Sequence, residues 1–479
     1  SNDGPPHPTR TVLHRTIDLA VGESQSFNMS DGKTATVKLV GVEERRDPIR
    51  SAVREALVRV EVNGAAVALK SGNYQLPVLA GGVQLDCPIT AGYRSNSDED
   101  SWGLVAAARI RLWPAGSPWI EPTSFVYPAR QRWFASMTHM ANEPVYVDGG
   151  ERPATPKIYY HNGLDIGGAE GLVEVVAATD GVVVSSGTAR LPGHDDSPVR
   201  TRYDVVYVLD GRGWYYRYSH MKTIDPAITP GAAVRMGQRI GILGKEGGSG
   251  GWSHLHFEIR SRQPSGRWGT QEGYAFLWQA YLREHRPELV AVARPHHLAR
   301  TGDTVTLDGS KSWSRSGPIE RFEWTFGDGT TASGPRVARS YDRAGSYSEA
   351  LKVTDRAGRV AYDFAVVQVL DRADPEVLPP TIHAAYSPTF GIRAGEPVTF
   401  KVRTFRTTDG QEIWDFGDGT PAVVAHSDGN IDQHARDGYA VTAHRFRAPG
   451  HYLVRVERAD RRGVKATARL HVMVDEGSK

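Results

Sequence analysis

Ser253-His254-Leu255-His256-Phe257-Glu258-Ile259 is the stretch on which the fold of this chain turns. Leu255, Phe257 and Ile259 alternate with polar residues and no helical repeat runs through them, so the segment reads as a β-strand. Residues two apart on a strand point to the same face. His254 and His256 therefore project side by side, with Leu255 and Phe257 on the opposite face. Two imidazoles so placed can share one metal ion, or one can bind the metal while the other handles a proton.

Working outward, residues 161–270 alternate short apolar strands with glycine turns: 173–177, 181–185, 204–209, 214–218, 240–243 and 255–260. A helical tail is expected over 273–284, carried by Tyr274, Leu277, Trp278, Tyr281 and Leu282. Upstream lies His161-Asn162-Gly163-Leu164-Asp165-Ile166. Its His and Asp are spaced i, i+4, but Gly163 and Gly167-Gly168 argue for a strand edge or loop rather than a helix face. Imidazole and carboxylate are both good zinc ligands. His161 and Asp165 with one histidine of the downstream pair make three, which leaves the fourth position for water and marks a catalytic rather than a structural zinc. His220, in Tyr218-Ser219-His220-Met221, ends a strand 34 residues before His254, ample chain for an antiparallel return.

In that order, His-x-x-x-Asp, Tyr-Ser-His and His-Leu-His-Phe-Glu resemble the lysostaphin/LytM-type zinc metalloendopeptidases, and residues 231–241 are similar to that family's loop-and-strand segment before the final pair. The resemblance covers roughly residues 155–262. It implies that His161, Asp165 and His256 hold Zn²⁺, and that His254 and His220 flank the open position as catalytic groups. It also implies hydrolysis of peptide bonds in bacterial cell-wall peptidoglycan. From the residue types, His254 takes the proton of the attacking water and passes it to the leaving amine, and His220, or zinc itself, offsets charge on the tetrahedral oxygen. One departure stands out. The turn over residues 247–253 is one residue longer than the family form and carries the bulky Trp252.

Glu323-Trp324-Thr325-Phe326-Gly327-Asp328-Gly329-Thr330 recurs as Ile413-Trp414-Asp415-Phe416-Gly417-Asp418-Gly419-Thr420, an offset of 418 − 328 = 90 residues. That is the size of a small β-sandwich. With the later Gly-x-Tyr, the motif resembles PKD (polycystic-kidney-disease) repeats, Ig-like sandwiches that bind polymer or protein, or act as spacers. Trp and Phe anchor one face of a strand, and Asp328 and Asp418 cap the following turn. The second copy holds a longer loop over residues 423–439, and a charged, Pro-rich linker at 371–380 joins the copies.

The expected organisation is all-β and multidomain: an N-terminal β-rich module (1–130), a zinc peptidase domain with its connector and C-terminal helix (131–288), and PKD-like sandwiches at 289–373 and 378–479. In the first module, Asn63-Gly64 is a hairpin signal. The run Ser97-Asp98-Glu99-Asp100 is a solvated loop rather than a calcium site. The aromatic connector over 129–160, with His139, is expected to lie against the site, and the first module is expected to cover the groove, so that its removal raises activity on small peptides.

The 57 basic residues nearly balance 55 acidic ones, which excludes a nucleic-acid partner held by bulk charge. One cysteine, Cys87, excludes an internal disulfide. No segment reads as a membrane span. No signal peptide is visible, and the Ser1 start is compatible with one removed upstream, so a secreted or periplasmic location is expected. The partners expected are peptidoglycan or another peptide polymer. Two other readings stay open at this point: a zinc hydrolase of a non-wall protein or other polymer, and a non-catalytic cell-wall binding or activating scaffold.

Overall fold

The computed structural model describes residues 5–72, 74–94, 97, 100–141, 143–145 and 158–476. Strands make up nearly all of its regular structure, and the described residues hold one α-helix, α1 (Tyr274–His285). Six strands position the site: β1 (His139–Met140), β2 (Leu164–Gly167), β3 (Gly181–Ser186), β4 (Val206–Asp210), β5 (Tyr215–Ser219) and β6 (His254–Arg262). They lie in the order β3-β4-β5-β6-β2-β1, each antiparallel to its neighbour. Leu255, Phe257 and Ile259 of β6 share one core with Phe276, Leu277, Trp278 and Tyr281 of α1. Burial of each such side chain is worth about 1.5–3 kcal/mol. That burial fixes the register of β6, because a slip of one residue would send its apolar set to the polar face.

The N-terminal module forms two antiparallel four-stranded sheets. Asn63 (φ 49°) and Gly64 (φ 81°) close the hairpin of Val53–Val62 and Ala65–Gly72 in the left-handed conformation that a two-residue turn demands. Cys87 is buried. The module also reaches into the body of the protein. Trp113, Ile120, Phe125 and Tyr127 enter the same core as β6 and α1. The Arg111 guanidinium, paired with Asp86, donates to the Glu272 carbonyl at 2.6 Å just before α1. The module is keyed into the β6–α1 core. Of its described residues, only Arg50 and Arg54 line the cavity over the site.

The connector divides in a similar way. Met140 pairs with Asp165 and His139 with Ile166, so the two point to opposite faces. His139 packs among Trp133, Phe134 and Tyr127, away from the site, while Met140 lines the cavity. Asp98 and Glu99 of the acidic run lie outside the described residues; Asp100 pairs with Arg267 at 2.8 Å.

In both repeats the Trp and Phe are buried: Trp324 with Phe326, and Trp414 with Phe416. Asp328 and Asp418 each accept the backbone N–H and hydroxyl of the Thr two residues on, at 2.6–3.1 Å, and so cap the turn. The repeats do not hang apart on their linker. Gly345 and Ser346 pair in parallel with Lys465 and Ala466, so the two copies share one nine-stranded sheet.

Candidate metal centre

The register of three strands assembles the site. On the β2–β6 ladder Asp165 lies opposite His256, and on the β5–β6 ladder Ser219 lies opposite His256. This brings a carboxylate from one side and the end of β5, with His220 next in the chain, from the other. His161 reaches the same point because the chain reverses at Gly163 (φ 76°), where a Cβ would sit 2.6 Å from the Phe257 carbonyl oxygen. Only glycine fits there.

One atom from each of His161, Asp165 and His256 lies within 4.8 Å of the others. His161 Nε2 is 2.9 Å from Asp165 Oδ1 and 3.1 Å from His256 Nδ1, and His256 Nδ1 is 3.0 Å from Asp165 Oδ1. His254 Nε2 stands 3.4 Å from Asp165 Oδ2, and the His220 and His254 rings are 4.6 Å apart between centroids. All five sequence-selected residues are thus brought together. They are only 2–7% exposed and face a cavity of about 220 Å³. His194, in the polar insertion, lies elsewhere and bonds to the Tyr215 hydroxyl at 2.8 Å. Tyr215, Tyr216 and Tyr218 are buried packing residues of β5.

The partners of each ring fix where its protons sit. His256 Nε2 meets Glu258 Oε2 at 3.1 Å, and Glu258 is also paired with Arg260 and with Arg217 at 4.0 Å. Burial pushes the Glu258 carboxyl up, but Arg260 and His256 outweigh it and hold it well below the usual range. An ionised Glu258 only accepts, so His256 donates from Nε2. A neutral His256 then turns a bare Nδ1 lone pair toward the carboxylate of Asp165, which is ionised as well. Burial raises the Asp165 carboxyl, yet His161 and His254 carry it well below the usual range. Two acceptors at 3.0 Å with no proton between them repel, unless a cation sits among them or His256 takes a second proton. An N, N, O donor set of this kind suits zinc.

His254 Nδ1 donates to the Trp252 carbonyl at 2.7 Å, which leaves Nε2 as a lone pair on the cavity side. Burial lowers the His254 pKa, so the ring is neutral near pH 7 and able to take a proton. His220 is set in the same way. The Glu246 carbonyl accepts from its Nδ1 at 2.7 Å, and the Asp204 carboxylate lies 3.5 Å from the same nitrogen. Arg202 approaches that nitrogen at 3.3 Å, a weaker contact. Burial takes the His220 pKa down to about 3. Its backbone is held at φ 66°, a conformation costing about 1–3 kcal/mol for a non-glycine residue. The bond from its own N–H to Asp204 at 2.8 Å stabilises that turn.

Glu258, Asp204 and the Trp252 carbonyl were not selected from the sequence. Glu258 carried a usable signal, since it stands two residues after His256 on the same strand face. Asp204 carried none.

Residues 159–267 match the family model described as peptidase family M23, and residues 285–369 and 381–474 match models described as PKD domain. A microbial collagenase of Vibrio alginolyticus is 29% identical over 152 residues, covering 29% of this chain and 18% of the relative. Collagenase ColQ1 of Bacillus cereus (strain Q1) is 28% identical over 192 residues, covering 37% of this chain and 20% of the relative. The chain thus spans no more than a fifth of either. Among solved structures, Csd3 of Helicobacter pylori matches at 13% identity over 55% of this chain and 82% of its own, with a TM-score of 0.21. From the family matches, the chain carries a peptidase family M23 domain followed by two PKD domains.

Proposed function

We propose that the chain is a zinc endopeptidase that hydrolyses peptide bonds in bacterial cell-wall peptidoglycan, in the cross-bridge or stem peptide, and acts outside the cytoplasm in the envelope or after secretion. The observation that carries this reading is the meeting of His161, Asp165 and His256 beside two imidazoles whose bare Nε2 atoms face one cavity. His161, Asp165 and His256 would hold the ion. When bound, zinc supplies Lewis acidity, acidifying a water and polarising an amide carbonyl. His254 Nε2 accepts the proton of the attacking water as its oxygen bonds to the carbonyl carbon. The same ring returns that proton to the departing amine nitrogen as the C–N bond breaks. His220 presents an acceptor while neutral. With its pKa down at about 3 it stays neutral at pH 7, so its bare Nε2 is placed to accept a hydrogen bond from the attacking water rather than to offset charge on the tetrahedral oxygen.

Dye release from labelled, purified peptidoglycan tests the reading. Release is expected to stop with a chelator and return with added zinc. Zinc in the protein without release from the wall moves the substrate to another protein, a reading that the collagenase names of two relatives favour. No zinc and no release leaves a wall-binding scaffold, with the PKD domains as its polymer-binding parts.

Glu258 gives a second expected result. Glu258→Gln keeps the side-chain shape but removes the charge that orients His256, which is expected to weaken zinc binding about 10–100-fold. Competition with a chromogenic chelator measures this, and unchanged affinity would remove Glu258 from the centre.

A further inference from the structure

Two departures in the sequence, far apart in the chain, meet in space. One is the lengthened turn over residues 247–253. The other is the lengthened loop over residues 423–439, present in the second repeat and absent from the first. Arg403 organises the meeting. Its guanidinium forms a two-pronged pair with Asp428 at 2.9 and 2.7 Å, binds the Asp432 and Gln433 carbonyls of the loop, and donates to the Gly251 carbonyl at 2.8 Å. Asn430 donates to the Gly250 carbonyl at 3.1 Å, and His434 Nε2 meets the Gly247 carbonyl at 2.7 Å. The approach is so close that a Cβ on Gly251 would lie 2.0 Å from Asn430 Oδ1.

The grip continues to the residue before the proposed base. The Tyr439 hydroxyl accepts from the Ser253 backbone N–H at 2.9 Å and bonds to His383 Nδ1 at 2.8 Å. The Trp252 indole is stacked against His383 and Phe405, at 5.0 and 4.4 Å between centroids, and donates to Thr138 Oγ1 at 2.6 Å. The backbone on both sides of the Trp252 carbonyl is therefore pinned, and that carbonyl fixes the tautomer of His254.

We infer that the second PKD domain is a working part of the active site: Tyr439, Arg403 and His383 hold the 247–253 turn, and through the Trp252 carbonyl they aim the His254 ring. The inference rests on the role proposed for His254. Tyr439 is a positioning residue, since it touches neither substrate nor metal ligand. Polymer binding or spacing by this domain requires no such contact. A base displaced by a fraction of an ångström loses rate while substrate binding is kept.

Tyr439→Phe in the full chain tests the inference. It removes one hydroxyl and keeps the ring. Hydrogen exchange of the zinc-loaded chain is expected to quicken roughly tenfold over residues 247–253 and to stay unchanged over the distal half of β6. On peptidoglycan, kcat is expected to fall about tenfold with KM and zinc content unchanged. Tyr452→Phe is the control. Its hydroxyl bonds to the Ala448 carbonyl at 2.7 Å, within the same domain and apart from the turn, so neither readout is expected to move. Unchanged exchange in the turn, unchanged kcat, or equal effects in the control would overturn the inference. A rise in kcat would also overturn it and make the second PKD domain a brake. If the unaltered chain fails to release dye, the peptidoglycan reading falls, and the exchange comparison still decides whether Tyr439 holds the turn.

Discussion

Replacing His254 with alanine is expected to cut turnover by about 10²–10⁴-fold while the zinc content stays at the level of the unaltered chain. The two halves of this result have separate causes. Zinc stays because the three-atom group of His161, Asp165 and His256 does not include His254, whose Nδ1 is engaged by the Trp252 carbonyl. Turnover falls because the lone pair of His254 Nε2 is the one placed beside Asp165, where the attacking water must give up a proton. His220 stands next to it, but burial takes its pKa down to about 3, too weak a base to hold that proton. Metal analysis and dye release on the same preparation decide the matter. An active His254→Ala chain would end the assignment of the base, and a zinc-free one would make His254 a ligand.

The centre was legible in the sequence to an unusual degree, for a physical reason. Strand alternation ties Leu255, Phe257 and Ile259 to the core, and this leaves His254 and His256 only one face to share. Gly163 argued for a strand edge or loop rather than a helix between His161 and Asp165, and the structure reverses the chain there to bring both side chains to the same point. The supporting contacts were less legible. Glu258 could have been reached by carrying the same alternation one step further. Asp204 acts through the backbone turn at His220, and an aspartate before a strand has no spacing that announces such a role.

The contacts that the second repeat makes with the peptidase domain and with the first repeat were not legible. Periodicity says that a side chain is buried, but never against what. The long turn at 247–253 and the long loop at 423–439 were both visible as departures, yet nothing in either text refers to the other, because their contact is carried by Arg403 and Tyr439 to backbone atoms. In the same way the Pro-rich stretch at 371–380 read only as a linker joining the two copies. The parallel pairing of Gly345 and Ser346 with Lys465 and Ala466 depends on two strand edges whose approach no local pattern encodes.

Removing residues 1–130 is expected to leave no cooperatively folded chain, the opposite of the gain in activity that a groove cover would give. Trp113, Ile120, Phe125 and Tyr127 would all be lost from the core that holds β6 and α1. Truncating one large core side chain costs about 2–5 kcal/mol. Four such losses reach or exceed the whole stability of a typical domain, about 5–15 kcal/mol. The cut would also strip Arg111 from the Glu272 carbonyl just before α1, and Phe276 would lose the neighbouring ring of His14. Thermal unfolding of a purified fragment spanning residues 131–479 checks this. The expected result is aggregation or a transition without cooperativity. A soluble fragment that melts sharply and cuts small peptides faster than the full chain would show that the shared core is dispensable and that the module is a cover after all. Arg50 and Arg54 allow the two roles to be separated in the intact protein, because both line the cavity and neither belongs to that core.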